Sequence, residues 1–371
     1  MATAAGIGER LKYARERAGL KQGDVSKRTN IGESSLSEFE CAKREPSVSQ
    51  LATLAGVYNR AVGFFLSADP LPIEVVRWRK KPETAEPIEV AFLQLCQQYQ
   101  NLESWCDATI ATTLPPVERP RAPFSRADAE ALAIRVRHEL ALGECPGPGL
   151  LYVLEEQCGL KIFHRDLEPT GTAASTKNVG FGCAVLLNSK HPKWRRNFDL
   201  AHELFHLLTW SFAEAQDNDA IWSESDEKLA DWFAACLLMP TDAVRQAVAR
   251  RIRGRKIEVE SLFEIARQFD VSVEALIWRI HVVYGGTAKD RSRTDAMLER
   301  ARQAASLFEE RSADTPPVRP ARFVSLALKA LRSGDLSIGR FAEYVGTTRQ
   351  RVMALPEAEQ GDDDALELPA S

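Results

Sequence analysis

The chain holds 371 residues, about two and a half times a typical domain, so two or three separate cores are expected. Its 44% hydrophobic and 27% charged residues exclude a disordered, fibrous or membrane-embedded protein, and no run approaches the roughly 18 apolar residues that span a bilayer. The net charge of −4 announces no nucleic-acid partner by itself, and the seven scattered cysteines never form a C-x-x-C pair, which fits reduced thiols.

An amino terminus without an export pattern points to a cytoplasmic protein with no membrane partner. In chain order, residues 7–66 read as a run of short helices, with Leu11, Val25, Ile31, Leu36, Phe39, Leu51, Leu54 and Ala55 as the apolar positions. Turn-like Gly19 to Leu20 and Asn30 to Gly32 separate them. The pattern Leu20-Lys21-Gln22-x-Asp24-Val25-Ser26, then Ile31 to Glu40, then Lys43-Arg44-Glu45-Pro46-Ser47 resembles the XRE-type helix-turn-helix of phage-repressor-like regulators. The resemblance implies DNA as a partner, a possible homodimer on paired half-sites, and a recognition helix at Ser34 to Glu40. It makes Gln22, Ser34, Ser35, Ser37 and Glu38 the candidate base contacts, with Lys43 and Arg44 on the backbone. Two features run against it: Glu33, Glu38 and Glu40 give that helix acid without Arg or Lys, and Ala42 stands where the family usually has Gly.

Residues 69–124 read as a helical connector carrying a basic cluster, Arg77-Trp78-Arg79-Lys80-Lys81, as a solvated linker or phosphate footprint, and a helix from Pro87 to Thr112. After a proline cluster, Ser125 is a plausible N-cap with Asp128 behind it. Residues 125–290 then look α+β, with helices at Arg126 to Leu140 and Gly149 to Cys158 and strands around Leu160 to Phe163 and Cys183 to Leu187. The second strand is a candidate edge for an extended substrate, and Cys183 a candidate inhibitory thiolate. Helical patterns run from about Trp194, at Ser261 to Phe269 and at Val273 to Val283. A helical region, 291–356, contains Phe323 to Leu355, which reads as a second helix-turn-helix-like unit or, the reading favoured here, as docking helices. The last segment, 357–371, has six acidic and no basic residues and reads as a disordered tail.

The sharpest pattern is His202-Glu203-Leu204-Phe205-His206. On a helix, positions i and i+4 share a face, so two imidazoles reach one ion while Glu203 lies beside it. Downstream, Glu227 and Asp231 share a face of an alanine-rich helix: Glu227 could complete a His₂Glu set, and Asp231 could orient an imidazole. Phe198-Asp199-Leu200-Ala201 before the pentapeptide, Ala184 to Asn188, and Glu227-x-x-Ala230-Asp231-x-Phe233-Ala234-Ala235-x-Leu237-Leu238-Met239-Pro240 together resemble the ImmA/IrrE family of zinc metallopeptidases. That resemblance, over residues 125–245, implies zinc as cofactor, His202, His206 and Glu227 as ligands, and Glu203 as general base; Asp231 stands where the family more often has Asn. Glu214, Asp217, Asp219, Glu224 and Asp226 would favour a basic substrate if they rim the cleft.

The expected molecule is multidomain: an all-α helix-turn-helix domain (1–68), an α+β zincin-like metallopeptidase domain and a helical carboxy-terminal extension. The function these parts imply is a DNA-targeting regulator whose zinc endopeptidase cleaves a helix-turn-helix repressor, in trans or in cis, in a stress or mobile-element response. The alternative is a ligand-sensing or antitoxin-like regulator whose peptidase fold cuts nothing.

Overall fold

The computed structural model describes residues 4–58, 60, 62–68, 71, 75–83, 85–118, 124–167, 172–211, 222–254, 256–308 and 315–353. The acidic tail, and Glu214, Asp217 and Asp219, lie outside them. The first core belongs to α1 (Ala4–Arg17), α2 (Gln22–Thr29), α3 (Glu33–Glu40), α4 (Val48–Val57) and α5 (Val62–Leu66), which close over Leu11, Val25, Leu36, Phe39, Leu54 and Phe65. Local chemistry sets the boundaries: Ser47 and Gln50 form a capping box at α4, and Asn30 takes the left-handed turn between α2 and α3. Helix α3 ends where Lys43 N–H donates to the Glu38 carbonyl and Ala42 N–H to that of Phe39, with Ala42 left-handed at φ 54°.

The rest of the molecule is built on one mixed sheet in the order β1-β3-β4-β2: β1 (Val76–Trp78), β2 (Lys161–Arg165), β3 (Ala173–Asn178) and β4 (Gly182–Asn188). Strand β3 is antiparallel to β1 and β4, and β4 is parallel to β2. Strand β4 is therefore internal, with both edges hydrogen-bonded, and cannot take an added substrate strand as the sequence suggests. Burial on both faces explains its unbroken Cys-Ala-Val-Leu-Leu run.

Alternation along the strands divides the two remaining cores. Cys183, Val185 and Leu187 face a layer containing α7 (Arg126–Glu139), α8 (Gly147–Tyr152, continuing as a π turn over Val153–Gln157), α9 (Lys193–Leu208) and α10 (Glu224–Leu238). That layer continues through α11 (Thr241–Ala249), α12 (Val259–Phe269), α13 (Val273–Val283) and α14 (Arg291–Phe308). Ala184, Leu186 and Phe163 face a helix between β1 and α7, here named α6 (Ala85–Trp105), and the carboxy-terminal α15 (Ala321–Arg332), α16 (Ile338–Val345) and α17 (Arg349–Met353). Those last helices dock on the sheet through Phe323, Leu326, Phe341 and Tyr344.

The segment expected to be a helical connector thus supplies an edge strand and a core helix. Helix α6 stops at Trp105 rather than Thr112, because Asp107 turns left-handed at φ 49° and the chain continues extended. Thr112 Oγ1 then accepts from Cys183 N–H at 3.3 Å. On the face covered by α6 and α15, Lys161 Nζ meets Glu103 at 2.9 Å, and Arg322 meets the same carboxylate, tying α15 to α6 and β2. No helix among the described residues is long and apolar enough to cross a membrane, and all seven cysteines are free thiols.

Candidate metal centre

The site is built on α9 and α10, which pack against each other beneath the sheet. Helix α9 is amphipathic, yet almost every residue from Asp199 to Leu208 is buried, because its polar stripe faces α10 and β3 rather than water. That stripe is His202, Glu203 and His206, each fully buried. Helix α10 begins at Ser223, whose hydroxyl accepts from Asp226 N–H, and its acidic first turn suits the helix N-terminus. One turn in, Glu227 faces both imidazoles.

Three donor atoms converge. His202 Nε2 and His206 Nε2 are 3.1 Å apart; Glu227 Oε2 lies 3.2 Å from the first and Oε1 3.2 Å from the second. Ligands on a tetrahedral cation at metal–nitrogen distances of about 2.0–2.1 Å are spaced by about 3.3 Å, close to the separation of the two imidazole nitrogens, and one ligand atom from each of the three residues lies within 4.8 Å of the others. Two nitrogens and a carboxylate oxygen are a donor set that suits zinc, and His202, His206 and Glu227 form the one such group found among the described residues.

The two imidazoles are oriented by different means. His202 Nδ1 meets Asp231 Oδ1 at 2.9 Å. His206 Nδ1 has no partner among the described residues; instead the ring lies flat on Trp222, with centroids 4.2 Å apart and planes at 10°. Arg77 covers the far side of this stack, its guanidinium 4.5 Å from the Trp222 centroid. Burial lowers His206 to about 4 and leaves it neutral, the state a metal ligand needs. Burial also acts on Glu227, but its bonds to both histidines outweigh it and hold the carboxyl at about 2.

Glu203 lies apart from this set. Both its oxygens lack a hydrogen-bond partner among the described residues, and burial raises it to about 7, opposed by the charge of His202 and the nearby Ser175 hydroxyl. Ser175 comes from β3, on the face that register assigns to Arg77.

Some residues at this centre are not assigned in the sequence. Arg79 follows β1, where its N–H donates to the Ala173 carbonyl. Its Nη1 reaches Asp199 Oδ1 at 2.5 Å and its Nη2 reaches Asp231 Oδ1 at 2.7 Å. Arg77 and Arg79 are therefore neither part of a solvated linker nor a phosphate footprint, whereas Lys80 and Lys81 are exposed as that reading expects. Arg77-Trp78-Arg79 is too short to show a period, so no signal in the sequence singles Arg79 out; Trp78, between the two arginines, is buried on the opposite core. Asp199 and Trp222 are the other two. Cys183 offers no inhibitory thiolate, since burial raises its thiol to about 11. Of the acids between the histidines and Glu227, Glu224 pairs with Lys228 and Asp226 with Ser223.

In the amino-terminal domain Ser34, Lys43 and Arg44 are exposed, and Gln22, Ser35, Ser37 and Glu38 are half-buried. Glu40 turns inward, where Arg15 holds it at 2.6 and 2.9 Å and Gln22 Nε2 donates to it at 3.0 Å. Gln22 is thereby committed to Glu40, and one of the three acids that oppose DNA is turned away from it, while Glu33 and Glu38 remain on the helix surface.

Comparison with known proteins agrees with this division. Residues 155–281 match a peptidase family model described as the IrrE N-terminal-like domain, and residues 7–62 match one described as a helix-turn-helix domain. The chain thus joins a helix-turn-helix domain to an IrrE N-terminal-like domain of metallopeptidase-like fold. Among curated proteins, the HTH-type transcriptional regulator ImmR of Bacillus subtilis (strain 168) is 36% identical over 63 residues, 17% of this chain. The chain spans 50% of that relative's length.

Proposed function

We propose that the protein is a DNA-targeting regulator with zinc-dependent endopeptidase activity, acting on a repressor-type protein. The observation that carries this reading is the convergence of His202, His206 and Glu227 on one metal-sized point, with the partnerless, fully buried Glu203 beside it. A structural histidine pair would not require a carboxyl held without partners at that cost.

His202, His206 and Glu227 would hold the zinc, and Asp231 would fix the His202 ring through Nδ1. Zinc supplies a Lewis acid that activates water and offsets negative charge on the scissile carbonyl. Glu203, with a value near neutrality, takes a proton from the attacking water on a carboxylate oxygen and returns it to the leaving amine. The buried walls around His206 and Trp222 keep bulk water from the reacting atoms.

The helix-turn-helix domain would bring this centre to DNA through Ser34, Ser35, Ser37 and Glu38 of α3, with Lys43 and Arg44 on phosphate, as a monomer or homodimer. Similarity to a regulator named for transcription supports the assignment.

Elemental analysis of purified wild type, Glu203→Gln and Glu227→Ala tests the centre without a known substrate. One zinc per chain is expected in the first two and little in the third. A wild type that stays metal-free after zinc is supplied would overturn the peptidase reading in favour of a non-cleaving regulator.

A further inference from the structure

Arg79 reaches the metal-site wall from outside the matched peptidase segment. Its guanidinium spans two helices: Nη1 meets Asp199 of α9 and Nη2 meets Asp231 of α10. Asp231 Oδ1, the atom that Arg79 grips, is also the atom that meets His202 Nδ1. The Asp231 side chain is 51% exposed, whereas that of Arg79 is 12% exposed and lies against the Phe198 ring. A half-exposed aspartate on a helix surface has water and other rotamers open to it. The fork of a buried guanidinium takes those alternatives away.

We infer that Arg79 is a positioning residue for the metal centre: it clamps Asp231 Oδ1 onto His202 Nδ1, so that the ring keeps its Nδ1–H tautomer and presents the Nε2 lone pair. The inference rests on the metal-centre reading for its consequence, because an imidazole fixed in this way is the better ligand. It also gives the charge of Asp231 a purpose, since a neutral acceptor could serve His202 but would not hold the guanidinium.

Asp199, fully buried, has two further partners besides Arg79: Arg195 at 3.2 Å and His191 at 3.1 Å. Arg79→Lys retains the positive charge near the metal and loses only the two-pronged grip.

The test measures zinc affinity by chelator competition, together with the His202 Nδ1–H proton resonance of the metal-free full chain. Arg79→Lys is expected to weaken zinc binding about tenfold, to broaden or lose that resonance, and to add nothing further in an Asp231→Ala background. Wild-type zinc affinity with the resonance retained, or an equal loss in the Asp231→Ala background, would overturn the inference. If Arg79 variants do not fold, Asp231→Asn decides: several-fold weaker zinc binding supports the clamp, and wild-type behaviour refutes it. A wild-type chain that takes up no zinc defeats the metal reading alone, and the resonance then decides the role of Arg79.

Discussion

Ala42 closes α3 in a left-handed conformation that costs an alanine about 1 kcal/mol relative to glycine, yet the two carbonyls at the end of the helix are satisfied there. The sequence marks this position as a departure, and the backbone accommodates it without changing the turn. Lys43 and Arg44 follow at once and are exposed, and Arg44 lies only 3.8 Å from Glu38 across solvent, a weak pair that phosphate can displace. Replacing both with Ala should weaken binding to random duplex DNA and lower the slope of log affinity against log salt by about 2. An unchanged slope in a filter-binding or fluorescence titration would show that these residues do not meet the backbone.

Among the elements, the turn joining α8 to β2 carries a second unusual acid. Glu155 sits in the π turn, buried beside Tyr99 at 3.4 Å, and burial raises it to about 7 from an ordinary 4.5, helped by the neighbouring charge of Glu156. Between those two values the folded chain holds a proton that the unfolded chain has released. Stability therefore falls as pH rises from about 4.5 to about 7, and the loss is complete above that window. Glu155→Gln, neutral throughout, should exceed wild type by up to about 3 kcal/mol at pH 8 and lose most of that margin by pH 5. Urea denaturation at the two pH values reads the difference.

The elements also show what the sequence makes legible. His202, His206, Glu227 and Asp231 could be found because helix periodicity places them on facing sides of α9 and α10, whatever the rest of the fold. Strands β1 and β3 could not: Val76–Trp78 is too short for a period, and Ala-Ala-Ser-Thr-Lys-Asn has only Thr176 among the branched or aromatic residues that mark a strand. Their state is decided by pairing with residues distant in the chain, as Val76 opposite Thr176 illustrates. Arg79 was hidden for the same reason, because its partners are set by that pairing.

For the whole molecule, the unit of metallopeptidase-like fold is larger than its recognisable segment. Residues 155–281 match the family model, but Phe163, Ala184 and Leu186 are covered by α6 and by α15 and α16, which lie outside it. A chain beginning at residue 125 should lose β1 and α6, expose that face and give insoluble protein without zinc. One beginning at residue 69 should stay soluble and take up zinc as the full chain does, as read by soluble yield and elemental analysis. Equal behaviour of the two would mean that α15 and α16 alone cover the sheet.

Strand β1 also bears on how the protein is made. The first strand of the sheet leaves the ribosome directly after the helix-turn-helix domain, but its partner β3 follows only after about a hundred residues and Glu227 later still. The amino-terminal domain can fold while Arg77 and Arg79 wait without partners. A nascent chain thus completes its helix-turn-helix domain well before it can bring His202, His206 and Glu227 together, and synthesis itself sets the order in which the two parts arise.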